Sequence, residues 1–331
     1  MKLFHILIIP IIFFSLNAYS NNNNKITIYT YDSFVSDWGP GPIIENKFEE
    51  KFNINIEFIA VDSAATLLNK IILEGDSTKA DIVLGLDMNL YDKADKSNLF
   101  DNHSLVDLNE KIDLPVIWNS KKFVPYNYGY FAFVYNRKQI TNPPKSMQEL
   151  INNTDARIVI QDPRTSTPGL GLLTWMKAIY GNNVSKEWSK LNKKIIAVTK
   201  GWTDAYYNFF MSGEADVVLS YTTSPAAHIM FEDNYDISAA IFNEGNYISI
   251  EFAGILKNSK NKDIANEFLK FMISNEFQSV IPSTNIMYPV IKNINLPEAF
   301  DNLKIPKGLQ LNPEEINTKK EIWINEWLNA S

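Results

Sequence analysis

The chain has no cysteine among its 331 residues. That excludes disulfides, thiolate zinc sites and cysteine nucleophiles together, and it leaves the redox compartment open. Histidine is almost as scarce, with three in all. The two beyond the N-terminal stretch, His103 and His228, lie far apart, with no GxSxG elbow, HExxH pair or P-loop to join. Each reads as a surface or packed side chain rather than a base. Basic residues are outnumbered, 31 Lys and Arg against 38 Asp and Glu, for a formal net charge of −7. That balance argues against nucleic acid or anionic lipid as a partner and suits a cation or a neutral small molecule. No internal repeat is visible, and the Asn21 to Asn24 run is the only low-complexity stretch.

What is present begins with a leader. Lys2 supplies a positive start, 3–16 is mostly apolar without an acid, and Ala18 and Ser20 put small residues at the −3 and −1 positions of a cleavage site. The pattern predicts a signal peptide over 1–20, too short and poorly flanked for a membrane span. No cysteine follows it to take a lipid. The expected location is the periplasm.

After the leader, 25–30 alternates as a strand, Tyr31 to Phe34 reads as its exit loop, 42–52 as a helix and 54–61 as a second strand. A helix opening at Ser63 and a buried strand over 80–84 continue the rhythm. Such β-α-β alternation predicts a parallel sheet with ligands at the strands' carboxyl ends. The long aromatic strand over 124–136 can cross between lobes, and the stretch over 247–256 can return. Between them 146–149 is a capping box, and 157–161, 195–199 and 216–221 read as a second lobe's strands. Helices over 264–273 and 313–328 would close the first lobe. The expectation is an α/β chain of two lobes: 21–123 with 253–331, and 124–252.

One loop, 162–171, is crowded with hydroxyls and runs into an apolar helix over 170–180, with Ser166 or Thr167 as its N-cap and Pro168 in its first turn. The free amides of such an end can hold an anion or a polar ligand edge. Three further strand-end loops put aromatics beside hydroxyls or a carboxylate: Tyr31 and Asp32 with 37–41, Lys200 to Asp204, and Ser220 to Pro225. Rings facing one another across a cleft would sandwich a planar heterocycle, and a ring face attracts a cation. An acidic chain with such a box fits an aromatic cation.

The runs YTYDSF (29–34), DWGPGP (37–42), QDPRTSTPGLG (161–171), TKGW (199–202) and LSYTTSP (219–225), in order along the chain, resemble the periplasmic thiamine-binding proteins of thiamine ABC transporters. The resemblance implies a type II periplasmic binding protein fold, each lobe a mostly parallel sheet flanked by helices, with the ligand in the cleft. It implies thiamine, thiamine monophosphate or thiamine diphosphate as ligand, no cofactor and no catalysis. Its implied partners are a membrane permease and a cytoplasmic ATPase, without nucleic acid or membrane insertion. Carried over residue by residue, it sets Tyr31, Trp38, Trp202 and Tyr221 around the ligand, Ser166 and Thr167 on one side, and Thr222, Thr223 and Ser224 on another. Ser63, Ala64 and Ala65 match a helix-start loop that would receive a phosphate or hydroxyl end. The chain departs from the family pattern near Ser63 and Ala64, where members often carry Asp-Gly, and at Ile286, where they often carry Trp.

Two alternatives follow from the same residues. Tyr206 and Tyr207 are similar to the adjacent tyrosines of periplasmic ferric-binding proteins, where phenolates with an acid hold iron. A thiamine-cleaving enzyme of the related fold would grip the same ligand, but it relies on a cysteine nucleophile that this chain lacks.

Overall fold

A computed structural model describes residues 24–152 and 155–330. The expected signal peptide lies outside the described residues. Nine of the eleven strands among the described residues organise the chain: β1 (Lys25–Tyr31), β2 (Asn55–Val61), β3 (Ile82–Asp87), β4 (Phe123–Asn136), β5 (Ile158–Gln161), β6 (Ile195–Thr199), β7 (Val217–Tyr221), β8 (Ile237–Ala239) and β9 (Asn246–Ile255). β1 lies between β2 and β3 in parallel, and β3, β9 and β4 continue the sheet antiparallel. On the other side β7, β5 and β6 run parallel.

β4 joins the two sides. Its 14 residues are far longer than the usual five or six. Residues 123–130 pair with β9, and 131–135 pair with β7. Every residue from Phe123 to Asn127 and from Gly129 to Tyr135 is buried, so the strand is apolar on both faces where the sheets meet. Each such Phe, Val or Tyr contributes roughly 1.5–3 kcal/mol by leaving water.

The helices pack where their apolar faces allow. Ser63 caps the helix Ala64–Glu74, its Oγ accepting from the Thr66 amide at 3.2 Å, and Leu67, Leu68 and Ile71 are buried beneath. The helix Thr167–Tyr180 lies tightly on the second sheet. A Cβ at Gly169 would come within 2.5 Å of the Gln161 carbonyl, and one at Gly171 within 2.1 Å of the Phe131 ring. Only glycine permits that approach.

Several elements differ from the sequence expectation. The loop after β1 is a short helix, Asp32–Val35, because Phe34 turns inward and is fully buried. The strand expected over 80–84 starts at Ile82 and runs on to Asp87, and just before it the Asp81 carboxylate takes the Thr27 amide and the Ser259 hydroxyl. In the capping box Ser146 Oγ accepts the Glu149 amide, but Glu149 reaches back to the Lys145 amide, one residue further than expected. The helix Pro313–Asn329 does not close one lobe only. Lys177 of the second lobe reaches Glu326 at 2.8 Å, and Trp188 meets Trp327 at 6.5 Å between ring centres, so this helix straps the two sides together. No described helix is long and apolar enough to cross a membrane.

Candidate functional site

The carboxyl ends of β1, β2, β5, β6 and β7 converge on one cavity of about 280 Å³ between the two sides. Three helix N-termini face it. Ser63 and Ala64 begin one, Ser166 and Thr167 a second, and Thr223 and Ser224 a third. Their first-turn amides and aligned dipoles favour negative charge or a hydroxyl. Ser166 is buried, yet its hydroxyl makes no cap to its own helix.

The walls are aromatic. Trp202 stacks on Tyr206 with ring centres 4.7 Å apart and planes 29° from parallel, and Tyr207 meets the indole edge-on at 5.8 Å. Both contacts are possible because Asp204–Met211 is a π-helix. Its wider turn, hydrogen-bonded from i to i+5, brings the fourth and fifth residues after Trp202 to one face. The indole N–H donates to Ser220 Oγ at 2.8 Å, and that hydroxyl meets Ser224 Oγ at 2.8 Å. Behind Tyr206 stands His228, its Nε2 2.8 Å from the phenol oxygen and its Nδ1 2.9 Å from Glu232. Glu232 thereby holds the imidazole in place against the Tyr206 phenol. Burial pushes the Tyr206 phenol up, away from ionisation.

Acid without base defines the charge. Asp62, Glu232 and Glu251 line the cavity, and no lysine or arginine does so among the described residues. At the mouth Asp62 is held by Lys200 from the opposite side, an ion pair that spans the cleft. At the floor Glu251 Oε2 accepts from Tyr126 at 2.6 Å, Asn127 at 2.7 Å and Tyr31 at 2.9 Å. Burial raises the Glu251 carboxyl despite those donors, and burial with the neighbouring acid pushes the Tyr31 and Tyr126 phenols well up.

Of the residues singled out in the sequence, Tyr31, Trp38, Ser63, Ala64, Ser166, Thr167, Trp202, Tyr221, Thr223 and Ser224 all line this cavity. Ala65 and Thr222 do not. Ala65 follows Ala64 by one helical step and is turned away. Thr222 follows the inward Tyr221, so its side chain points the other way, is buried, and its amide bonds the Tyr130 carbonyl. Trp38 stands at the rim with 53% of its surface exposed. Glu251, Asn285 and Met287 also line the cavity and went unread. For Glu251 a signal existed: it is the lone acid inside the apolar 247–256 stretch. Ile286 lines the cavity too and adopts a left-handed φ of 54°, which a β-branched residue rarely tolerates.

Comparisons with known proteins agree with this architecture. Residues 77–312 match the model of the bacterial extracellular solute-binding proteins. The thiamine-binding periplasmic protein of Escherichia coli K12 is 46% identical over 307 residues, 92% of this chain and 93% of its own. A solved structure of a periplasmic thiamin binding protein superposes with a TM-score of 0.89 at 46% identity, covering 92% of this chain and 96% of that one. A ferric binding protein from Campylobacter jejuni shares the fold, with a TM-score of 0.78, at 20% identity over 92% of this chain and 99% of its own. The chain therefore belongs to the bacterial extracellular solute-binding proteins, in the branch of the thiamine-binding periplasmic proteins.

Proposed function

We propose that this protein captures thiamine in the periplasm and delivers it to an ABC permease with its cytoplasmic ATPase, performing no chemistry itself. The observation that carries the reading is the cavity's composition: stacked aromatic walls and three carboxylates, with no lysine or arginine in the lining among the described residues. Thiamine joins a cationic thiazolium ring to an aminopyrimidine ring through a methylene. Ring faces attract such a cation by roughly 0.5–2 kcal/mol each, and the acidic lining adds to the attraction. The two aromatic rings would sit between Trp202, Tyr221 and Trp38. The hydroxyethyl end, or a phosphate on it, would lie toward Ser166 and the Ser63 helix start, where amides rather than lysines supply the donors. That arrangement accommodates the monophosphate and diphosphate as well as the alcohol.

The test is direct. A ligand bound only by the native state stabilises it by RT ln(1 + [L]/Kd), roughly 2.7 kcal/mol at a hundredfold excess over Kd. Thiamine is expected to raise the melting temperature in a dose-dependent way and to quench tryptophan fluorescence. Mass spectrometry of the small molecule that co-purifies is expected to find it intact. Unchanged melting and fluorescence at millimolar thiamine, or recovery of a cleaved product, would overturn the reading.

A further inference from the structure

Glu251 has a neighbour that the cavity hides. In the β3–β9 ladder Asp87 stands directly opposite Glu251. Opposed residues of an antiparallel pair share a face, with Cβ atoms roughly 4.5–5.5 Å apart, and like charges there repel. Asp87 is 1% exposed. Its Oδ1 accepts the Asn89 amide at 2.8 Å, but its Oδ2 is buried with no hydrogen-bond partner among the described residues. Glu251, in contrast, has three donors on one oxygen and lines the cavity. The two acids thus divide their tasks: one faces the ligand with its donors in place, and the other sits behind it with fewer donors.

We propose that Glu251 is the counter-charge that selects a cation, and that Asp87 governs its ionisation: without ligand the two carboxyls share one proton, and a bound cation expels it. The proposal rests on the thiamine reading given above. The proton leaves a carboxyl oxygen of the pair for solvent, and no covalent bond to the ligand forms. The surroundings suit this role. Glu251 is faced by the Tyr31, Tyr126 and Tyr221 phenols and by Asn127 and Asn285; Asp87 is faced by Asn89, Tyr221, the Thr167 hydroxyl and, from the C-terminal helix, Lys320. Tyr221 feels both acids, so the pair and the ligand-facing ring form one electrostatic unit. Burial first, then Glu251, pushes the Asp87 carboxyl up to about 6, against opposing help from the Asn89 amide and from Lys320. Strongly interacting carboxyls titrate as a pair.

Calorimetry of the described chain with thiamine tests this, run from pH 5 to pH 8 and repeated in buffers of different ionisation enthalpy to count protons. If the pair's midpoint falls by one to two units on binding, Kd at pH 5 is about five- to tenfold weaker than at pH 8, with a fraction of a proton released near pH 6. Asp87→Asn is expected to abolish that release and flatten the slope, and Glu251→Gln to weaken binding at least about tenfold at pH 8. The pyrimidine's own protonation in acid is common to wild type and variant, so their difference reads the pair. In the ligand-free protein a protonated-carboxyl infrared band should fade through pH 6 and be missing from Asp87→Asn. Wild-type protein that binds thiamine with no proton release, or Asp87→Asn that keeps the release, overturns the proposal alone. Absence of thiamine binding at every pH overturns the function proposed above and the coupling with it.

Discussion

Truncating Trp202 to alanine removes one face of the box, and the structure sets the scale of the loss. The indole rests on Tyr206 at 4.7 Å and is fixed in its plane by the bond to Ser220, so its free face is a prepared platform rather than a mobile ring. A ligand covering that face hides on the order of 100 Å² of apolar surface, about 2.5 kcal/mol at 25 cal/mol per Å². Preformed aromatic anchors lose roughly 2–4 kcal/mol on truncation. The expected result is a rise of about thirty- to thousandfold in the thiamine Kd by isothermal titration calorimetry. Trp202→Phe keeps a ring over Tyr206 and loses only the donor to Ser220, which still has Ser224. One neutral hydrogen bond is worth roughly 0.5–1.5 kcal/mol, so that variant should weaken binding about two- to tenfold. Because Trp202 only borders the small core around Tyr206 and Phe210, the far-UV spectrum of the ligand-free variants should match wild type. A Trp202→Ala protein within threefold of wild-type affinity would show that the ligand does not stack there.

Ser166→Ala should weaken thiamine monophosphate more than thiamine, since a bond to a charged group is worth roughly 1.5–3 kcal/mol; competition binding with both ligands decides it. Lys200→Ala breaks the exposed pair with Asp62 across the mouth and should speed thiamine release by a small factor that disappears at high salt in stopped-flow measurements. Gly169→Ala pushes a methyl onto the Gln161 carbonyl and should destabilise the fold by roughly 1–3 kcal/mol in chemical denaturation while displacing Ser166. Asp87, at about 6 against an ordinary 3.8, binds its proton more tightly folded than unfolded, so its ionisation destabilises the native state fully above pH 6 and not at all below pH 4. Asp87→Asn keeps the cap to Asn89 and should therefore add about 2–3 kcal/mol at pH 7.5 and nothing near pH 4, read from urea melts at both.

The parts of the site that were legible share a cause. Trp202, Tyr221, Ser166 and Ser63 lie at or within a few residues past a strand's end, and β-α alternation alone sends such residues to the carboxyl edge. Asp87 ends β3, which runs past the expected 80–84, and Glu251 lies inside β9, so only the register of the antiparallel β3–β9 pair decides that the two acids meet. The bulge between Leu84 and Leu86 shifts that register, and nothing in local periodicity announces it. The stacking of Tyr206 on Trp202 was hidden for a different reason. At an α-helical 100° per residue, adjacent tyrosines diverge; the π-helix turns both toward Trp202. Asn285, Ile286 and Met287 reach the cavity from a loop distant in sequence from every strand end they face.

The resemblance to ferric-binding proteins shows how little of the molecule decides the ligand. A ferric binding protein shares this fold with a TM-score of 0.78, and this chain has two adjacent tyrosines at its own cavity. Iron would need those phenols as anions directed at one point. Here the Tyr206 oxygen is 2.8 Å from His228, its ring lies under Trp202, and burial pushes it away from ionisation. Tyr207 is half exposed and turned edge-on to the same indole. The tyrosines have become the support of an aromatic platform instead of ligands to a metal. His228 and Glu232 complete that support by bracing the Tyr206 ring from behind. A platform of this kind suits an aromatic cation that needs no inner-sphere donors.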